Sequence, residues 1–413
     1  MSVLRRRLFL ALIISAGILN YADRQVIAVL KPLLQEDLHW SDSDYGYLTA
    51  VFQFAAAFAF LGAGWIVDRV GWRWANPLAV GAWSVAAMAH SLARTLGQFT
   101  IARVALGATE SLGTPTGVKT IAVLFTARER SIAIGAMNAA GCAGAIVTPL
   151  VIPALALRWG WGSAFLVTGG LGFLWVAAWM SLTRGASESP QAASEKPAVA
   201  VSAEPPVSLK SVLMDRRTWA ITGGKVFSDP VWWFLLYWAP DFLHRIFKLN
   251  MQGFAVPLAV IYLTAAAGSL LAGFASGRLI AGGVPVVKAR KIIMLISALL
   301  VVPVPLALFV PNYWLSVAIL SLTLAAHQGF AVNLFALTTD VTPSNHVATT
   351  IGIGALFGNL AGMGVLQLAG KVIGPGHGYG LLFGLCSIWY LSGLIWIHFV
   401  LPKQNLCDEP LSA

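Results

Sequence analysis

Four ionisable residues sit inside stretches of sequence that are otherwise oily. Asp23 and Arg24 lie in Asn20-Tyr21-Ala22-Asp23-Arg24-Gln25, and Arg103 and Glu110 lie together in a later apolar stretch. A charge near the centre of a membrane helix costs about 2.5–3.5 kcal/mol on insertion scales, and chains keep such charges where they pair or line a wet cavity. On a helix Tyr21, Arg24 and Gln25 share a face, with Asp23 about a quarter turn aside. Arg103 and Glu110, seven apart, also share a face and stand roughly 10 Å apart along the axis. Gly107 between them leaves room for a ligand or for a facing helix. Arginine stays protonated, and its planar fork of donors suits a carboxylate. A buried carboxylic acid beside an arginine is pulled both ways and can exchange a proton near neutral pH. The expectation is that Asp23 and Glu110 carry protons while Arg24 and Arg103 bind an anion. The competing reading is a pair of static salt bridges, although buried pairs are weak stabilising devices.

Other polar residues fall at similar depth. His327, Gln328, Asn138 and Asn359 can each donate and accept, which suits either a polar solute or hydrogen bonds between helices. Tyr237, after Trp232 and Trp233, offers an aromatic face to a solute or anchors a helix at the interface. Asp229-Pro230 reads as a capped helix break or as a third proton site. Lys119 is a gate residue or a snorkelling lysine.

These groups need long apolar helices to hold them. The chain of 413 residues is 58% hydrophobic and only 11% charged, too little charge to clothe a soluble protein of this length. Continuous apolar runs recur from residue 8 to residue 401, which excludes the alternating pattern of a β-barrel. We read an all-α membrane protein of twelve transmembrane helices. Residues 1–183 form a six-helix bundle, 184–217 a disordered cytoplasmic linker rich in Ala, Ser, Pro and Glu, and 218–413 a second six-helix bundle with a short cytoplasmic tail. The runs IAIGAMN (132–138) and IGIGALF (351–357) occupy matching places in the two halves and suggest duplication.

The formal charge of +10 is no nucleic-acid footprint, because the basic residues cluster at alternate ends of the runs. Arg5 to Arg7, Arg69 with Arg73, Arg128 with Arg130, and Arg278 to Lys291 fall on one side, while Glu36, Asp37, Asp42 and Asp44 fall on the other. The positive-inside rule then puts both termini in the cytoplasm of a cell whose plasma membrane (a bacterial inner membrane) the chain crosses many times. Arg5 to Arg7 before an apolar run imitates a signal peptide, but the run is too long and reads as the first retained span. Cys142, Cys386 and Cys407 give neither a disulfide framework nor a metal spacing, and no cofactor or metal is expected. No enzyme motif such as H-E-x-x-H or G-x-S-x-G stands at depth. The expected partners are lipid, protons and a small anionic solute, with no nucleic acid and with the chain acting as a monomer.

The string Gly64-x3-Asp68-Arg69-x-Gly71-x-Arg73 after the second run resembles the loop motif of the major facilitator superfamily, and Gly273-x3-Gly277-Arg278 is a degraded echo of it in the second half. In that family the motif forms a cytoplasmic charge latch. Further strings resemble the anion:cation symporter branch, which includes hexuronate and aldonate transporters: NYADRQ (20–25), GATESLGTPTGVK (107–119), SDPVWWFLLYWAPDFL (228–243) and AHQGFAVNLF (326–335). The resemblance implies proton coupling at Asp23 and Glu110, substrate binding at Arg24 and Arg103, and Tyr21 in the cavity. Proton-coupled uptake of a sugar acid by alternating access is the expected function, with an organic-anion exchanger or a proton-driven exporter as the alternative. Gly277, where the family usually has Asp, implies a looser second gate.

Overall fold

The structure, a computed structural model, describes residues 3–184, 209–343, 346–374 and 378–402. Its first half holds α1 (Val3–Val29), the short α2 (Lys31–Leu38), α3 (Asp42–Val70), α4 (Trp72–Leu92), α5 (Leu96–Glu110), α6 (Gly113–Leu124), α7 (Ala127–Trp159) and α8 (Trp161–Thr183). The second holds α9 (Leu209–Met214), α10 (Arg216–Phe247), α11 (Ala255–Ala281), α12 (Val286–Val301), α13 (Tyr313–Val341), α14 (Val347–Ile373) and α15 (Gly378–Val400). Among the described residues, nine helices are long and apolar enough to cross a membrane on length and hydropathy. The more polar α4, the broken α5–α6 and the charge-bearing α10 complete the twelve spans.

Residues 185–208 of the expected linker lie outside the described residues. Its last part is helical, because Leu209–Met214 form α9 and α10 begins at Arg216, capped by the Asp215 carboxylate on the Arg217 N–H at 2.8 Å. The first predicted span also divides. Pro32 in the first turn of α2 has no N–H to continue the ladder, so the chain bends at Leu30.

Each half packs as its own bundle, and the halves meet where α3 lies on α14, α7 on α11 and α1 on α10. Those contacts join the second span to the eleventh, the fifth to the eighth and the first to the seventh, as a pseudo-twofold between repeated halves requires.

The two ends of this interface differ. At the end carrying Lys31, one apolar core runs through both halves and unites Val26, Leu30, Tyr45 and Leu48 with Trp238, Leu366 and Phe383. At the opposite end the core around Phe9, Trp83, Trp175 and Trp179 is built from the first half alone. Polar contacts repeat the difference. Lys31 bonds Asp42 at 2.8 Å and reaches Asp241 of the other half at 2.6 Å, and Arg245 bonds both carboxylates. The Tyr379 hydroxyl donates to Asp241 at 2.5 Å, and the Lys31 ammonium lies 4.0 Å from the centre of the Trp238 ring. Burial pushes Lys31 below the ordinary lysine range, and Asp241 and Asp42 act against that push.

At the opposite end, several ion pairs among the described residues lie within a half. Arg6 pairs with Glu129 at 2.9 Å, Lys119 with Asp68 at 2.7 Å and Arg290 with Asp340 at 3.0 Å. The residues of the loop motif behave likewise. Gly71, at φ +78°, turns the chain between α3 and α4 in a conformation that favours glycine. Arg69 lies over Trp65, and Arg73 donates to the Thr183 carbonyl at 3.0 Å. Gly64 is exposed on α3.

Candidate functional site

The mid-depth charges gather where α1, α3, α5 and α10 converge. The fourth span is not one helix: α5 ends at Glu110, and α6 starts at Gly113 after a turn closed by the Leu112 N–H on the Thr109 carbonyl at 3.2 Å. The break puts Glu110 at a helix terminus. One turn earlier, a Cβ at Gly107 would stand 2.5 Å from the Phe52 carbonyl oxygen, so glycine is what lets α5 rest on α3. Of the two readings of Gly107, the facing helix is the one observed.

Glu110 Oε2 accepts from Arg24 Nε at 3.1 Å and Nη2 at 3.0 Å, tying α5 to α1. The carboxylate of this pair is fully buried and the guanidinium keeps 11% exposure. Three rings surround Arg24, with centres 5.1 Å away for Tyr21, 5.1 Å for Phe52 and 5.2 Å for Trp233. Trp233 belongs to α10, so Arg24 stands at the junction of the halves. Arg103 is fully buried on the same ring of Phe52, at 4.4 Å. Its Nη2 donates to the Tyr237 hydroxyl at 3.2 Å, and the Tyr237 carbonyl accepts from Tyr45 at 2.7 Å. Tyr21, Arg24, Arg103, Glu110 and Tyr237 therefore form one cluster, the candidate site.

That site has unused hydrogen-bonding capacity. Glu110 Oε1, Arg103 Nη1 and Asn20 Nδ2 are buried without a partner among the described residues. Buried polar groups are normally satisfied, so this set suits a polar, anionic guest. A planar guanidinium matches the paired oxygens of a carboxylate or a phosphate.

Comparison with known proteins defines the setting. Residues 13–366 match the family model described as Major Facilitator Superfamily. The chain belongs to this superfamily. It is a multi-pass membrane transporter and not an enzyme. It is 28% identical over 407 residues to the hexuronate transporter of Escherichia coli (strain K12), a match that covers 96% of this chain and 94% of the relative. It is 30% identical over 288 residues to the probable L-galactonate transporter of the same organism, covering 68% of this chain and 64% of that one. In fold it resembles the crystal structure of a bacterial homolog to the human lysosomal transporter Spinster, captured inward-facing and occupied, with a TM-score of 0.78, 18% identity and 97% of each chain covered.

Among the described residues, the others that the sequence brought forward make no direct hydrogen bond or ion pair with this cluster. Asp23 is buried beside Thr168 of α8, whose hydroxyl is turned to the Phe165 carbonyl at 3.5 Å, and neither Asp23 oxygen has a hydrogen-bond partner among the described residues. One residue before Arg24, it lies about 100° round the helix, which takes it into the first half and away from the junction. His327 lies on α13 of the second half. It stacks on Trp232 at 5.2 Å, and its Nδ1 meets the Tyr390 hydroxyl at 2.5 Å, inside the second bundle. Tyr390 in turn donates to the Ser228 carbonyl at 3.3 Å, which makes Nδ1–H the donor to Tyr390 and leaves Nε2 as the ring's acceptor. Asn359 donates to Ala355 on its own helix at 2.8 Å, and Gln328 is half-buried on α13. The Asn138 side chain lies outside the described residues. α10 passes through Pro230 without ending, so Asp229 caps nothing; it pairs with Lys225 at 2.8 Å.

Sequence reasoning overlooked Lys31, Asp241, Arg245, Phe52 and Lys225. Lys31 ends a long apolar run, where a lysine is ordinarily an anchor in the headgroups. The available signal was Asp241 and Arg245, four apart on one helix face.

Proposed function

We propose that this transporter takes up a sugar acid, such as a hexuronate or an aldonate, together with a proton, by alternating access. The names of its relatives supply the substrate class. The observation that carries the mechanism is the buried Arg24–Glu110 pair at 3.0 Å with Arg103 beside it. The substrate carboxylate replaces Glu110 on Arg24, and Glu110 accepts the proton that keeps the buried charge balanced. Without either event, moving the site across the bilayer would strand a charge in a medium of low dielectric. Asp23, buried close by and without a hydrogen-bond partner among the described residues, is the second candidate acid.

The positive-inside rule puts Arg5, Arg69 and Arg73 in the cytoplasm of a bacterial cell, with both termini on that side. On this reading the end sealed by Lys31, Asp42, Asp241 and Arg245 faces outward, and the chain works as a monomer. Rocking of the halves breaks this seal and lets the loop motif close the other end.

The test is uptake of labelled galacturonate or galactonate into proteoliposomes. An inward proton gradient should accelerate uptake and drive accumulation above the outside concentration. Uptake indifferent to the gradient would contradict the coupling, and failure of both compounds and of their near relatives to enter would contradict the substrate class.

A further inference from the structure

A second charged pair faces the interface from the other half. Most of α10 is buried, yet Lys225 and Asp229, one turn apart, keep 18% and 13% of their side chains accessible while pairing at 2.8 Å. Trp233, one turn further, is the ring that covers Arg24 from across the interface at 5.2 Å. The three residues stand at i, i+4 and i+8, a single stripe that begins at Arg24 and runs away from the sealed end. α14 carries glycine opposite each of them. A Cβ at Gly358 would collide with the Asp229 carboxylate, one at Gly362 would stand 2.5 Å from Trp233 Cδ1, and one at Gly354 would stand 3.3 Å from Lys225 Cγ. The Lys225 ammonium also lies 5.2 Å from the Phe335 ring of α13. Packing alone gives no reason for an accessible ion pair at this depth, where an apolar pair would serve as well.

We propose that Lys225 is a second carboxylate-binding group, and that the preferred substrates are six-carbon sugar dicarboxylates, with Arg24 holding one end and Lys225 the other. This rests on the sugar-acid reading given above. The Lys225 ammonium lies at Asp229, one turn or about 6 Å along the helix from Trp233, and Arg24 lies 5.2 Å from that ring's centre. Five carbon–carbon bonds of about 1.5 Å zigzag to roughly 6 Å, and a charge-assisted hydrogen bond of about 2.8 Å at each end extends the reach to roughly 12 Å. The charges also balance. Each cation now holds a carboxylate of the protein, and a dianion replaces both once Glu110 and Asp229 have each taken a proton. A monocarboxylate satisfies Arg24 and leaves Lys225 with Asp229.

Direct binding to the purified full-length transporter tests this, with galactarate as the dicarboxylate and galactonate and galacturonate as monocarboxylates. Galactarate should bind about tenfold tighter than either monocarboxylate, and Lys225→Gln should reduce that ratio to roughly one, the size expected for one charge-assisted contact. Lys225→Arg should restore the preference. Asp229→Asn, which keeps the shape and frees Lys225, should raise the galactarate preference several-fold and provides the reading if Lys225→Gln does not fold. Equal affinities in the unaltered protein, or a ratio unmoved by either substitution, overturn the proposal. If galactonate and galacturonate bind as expected and galactarate does not, the sugar-acid reading stands and this inference falls. If none of the three binds, the sugar-acid reading itself fails.

Discussion

The two ends of the interface spend charge in different ways. At the Lys31 end, two cations and two carboxylates from both halves interlock around a buried ammonium. At the Arg73 end, Lys119 meets an Asp68 side chain that is 77% exposed, and both belong to the first half. A buried network bridging two bodies holds them together, because removing one member strands the others. An exposed pair within one body contributes little to holding the halves. The difference identifies which contacts must break when the transporter changes state, and the Arg24–Glu110 pair lies between the two ends.

The largest expected effect comes from cutting the interlocked end. Lys31→Met leaves Asp42 and Asp241 with Arg245 as their remaining cation, a loss of about 3–5 kcal/mol for a buried charge deprived of its partner. That is enough to invert a two-state population. Spin labels at Tyr47 of α3 and Lys371 of α14, which line one cleft at this end, should report a longer separation. An unchanged distance distribution would remove the seal from the account.

Next in size is Arg24→Gln. It leaves Glu110 without its charged partner and takes away the guanidinium, so sugar-acid binding should fall on the order of 100-fold, about 2.7 kcal/mol. Isothermal titration with galactonate checks this, and a loss below fivefold would move the anion site elsewhere. His327→Phe sharpens the contrast between site and packing. It should lower thermal stability by about 1 kcal/mol by breaking the Tyr390 chain, with galactonate affinity changed by less than about twofold. A large loss of affinity at unchanged stability would return His327 to the site. The smallest effect belongs to the other end: Lys119→Met should change stability by no more than about 1 kcal/mol and leave the Tyr47–Lys371 distance as it is.

Much of the fold could be read from the sequence because hydrocarbon imposes a simple rule. A chain crossing it must satisfy its own backbone, so twenty apolar residues in a row mean a helix. The residue types of the site could be read for the same reason, since a charge in such a run is costly enough to need a use. What could not be read is which helices face one another. Arg24 meets Glu110 rather than Asp23, its sequence neighbour, because the partner is set by how α1 and α5 are rotated. His327 meets Trp232 and Tyr390 for a similar reason, since that is where its face of α13 turns. The break after Glu110 had a local signal in Gly113 and Pro115, which an apolar run on both sides conceals. Lys31 was hidden by position, since at the end of a span an anchor and a gate have the same sequence.

The central claim is that Glu110 exchanges a proton for the substrate carboxylate on Arg24. Proteoliposomes loaded with a pH-sensitive dye measure this directly by following substrate-driven proton entry alongside counterflow of labelled galactonate. In Glu110→Gln, counterflow should persist, because Arg24 is free to bind the anion, while substrate-driven proton entry and uphill accumulation should be lost. Proton entry that continues with the substrate in Glu110→Gln would contradict the claim and transfer the coupling to another acid.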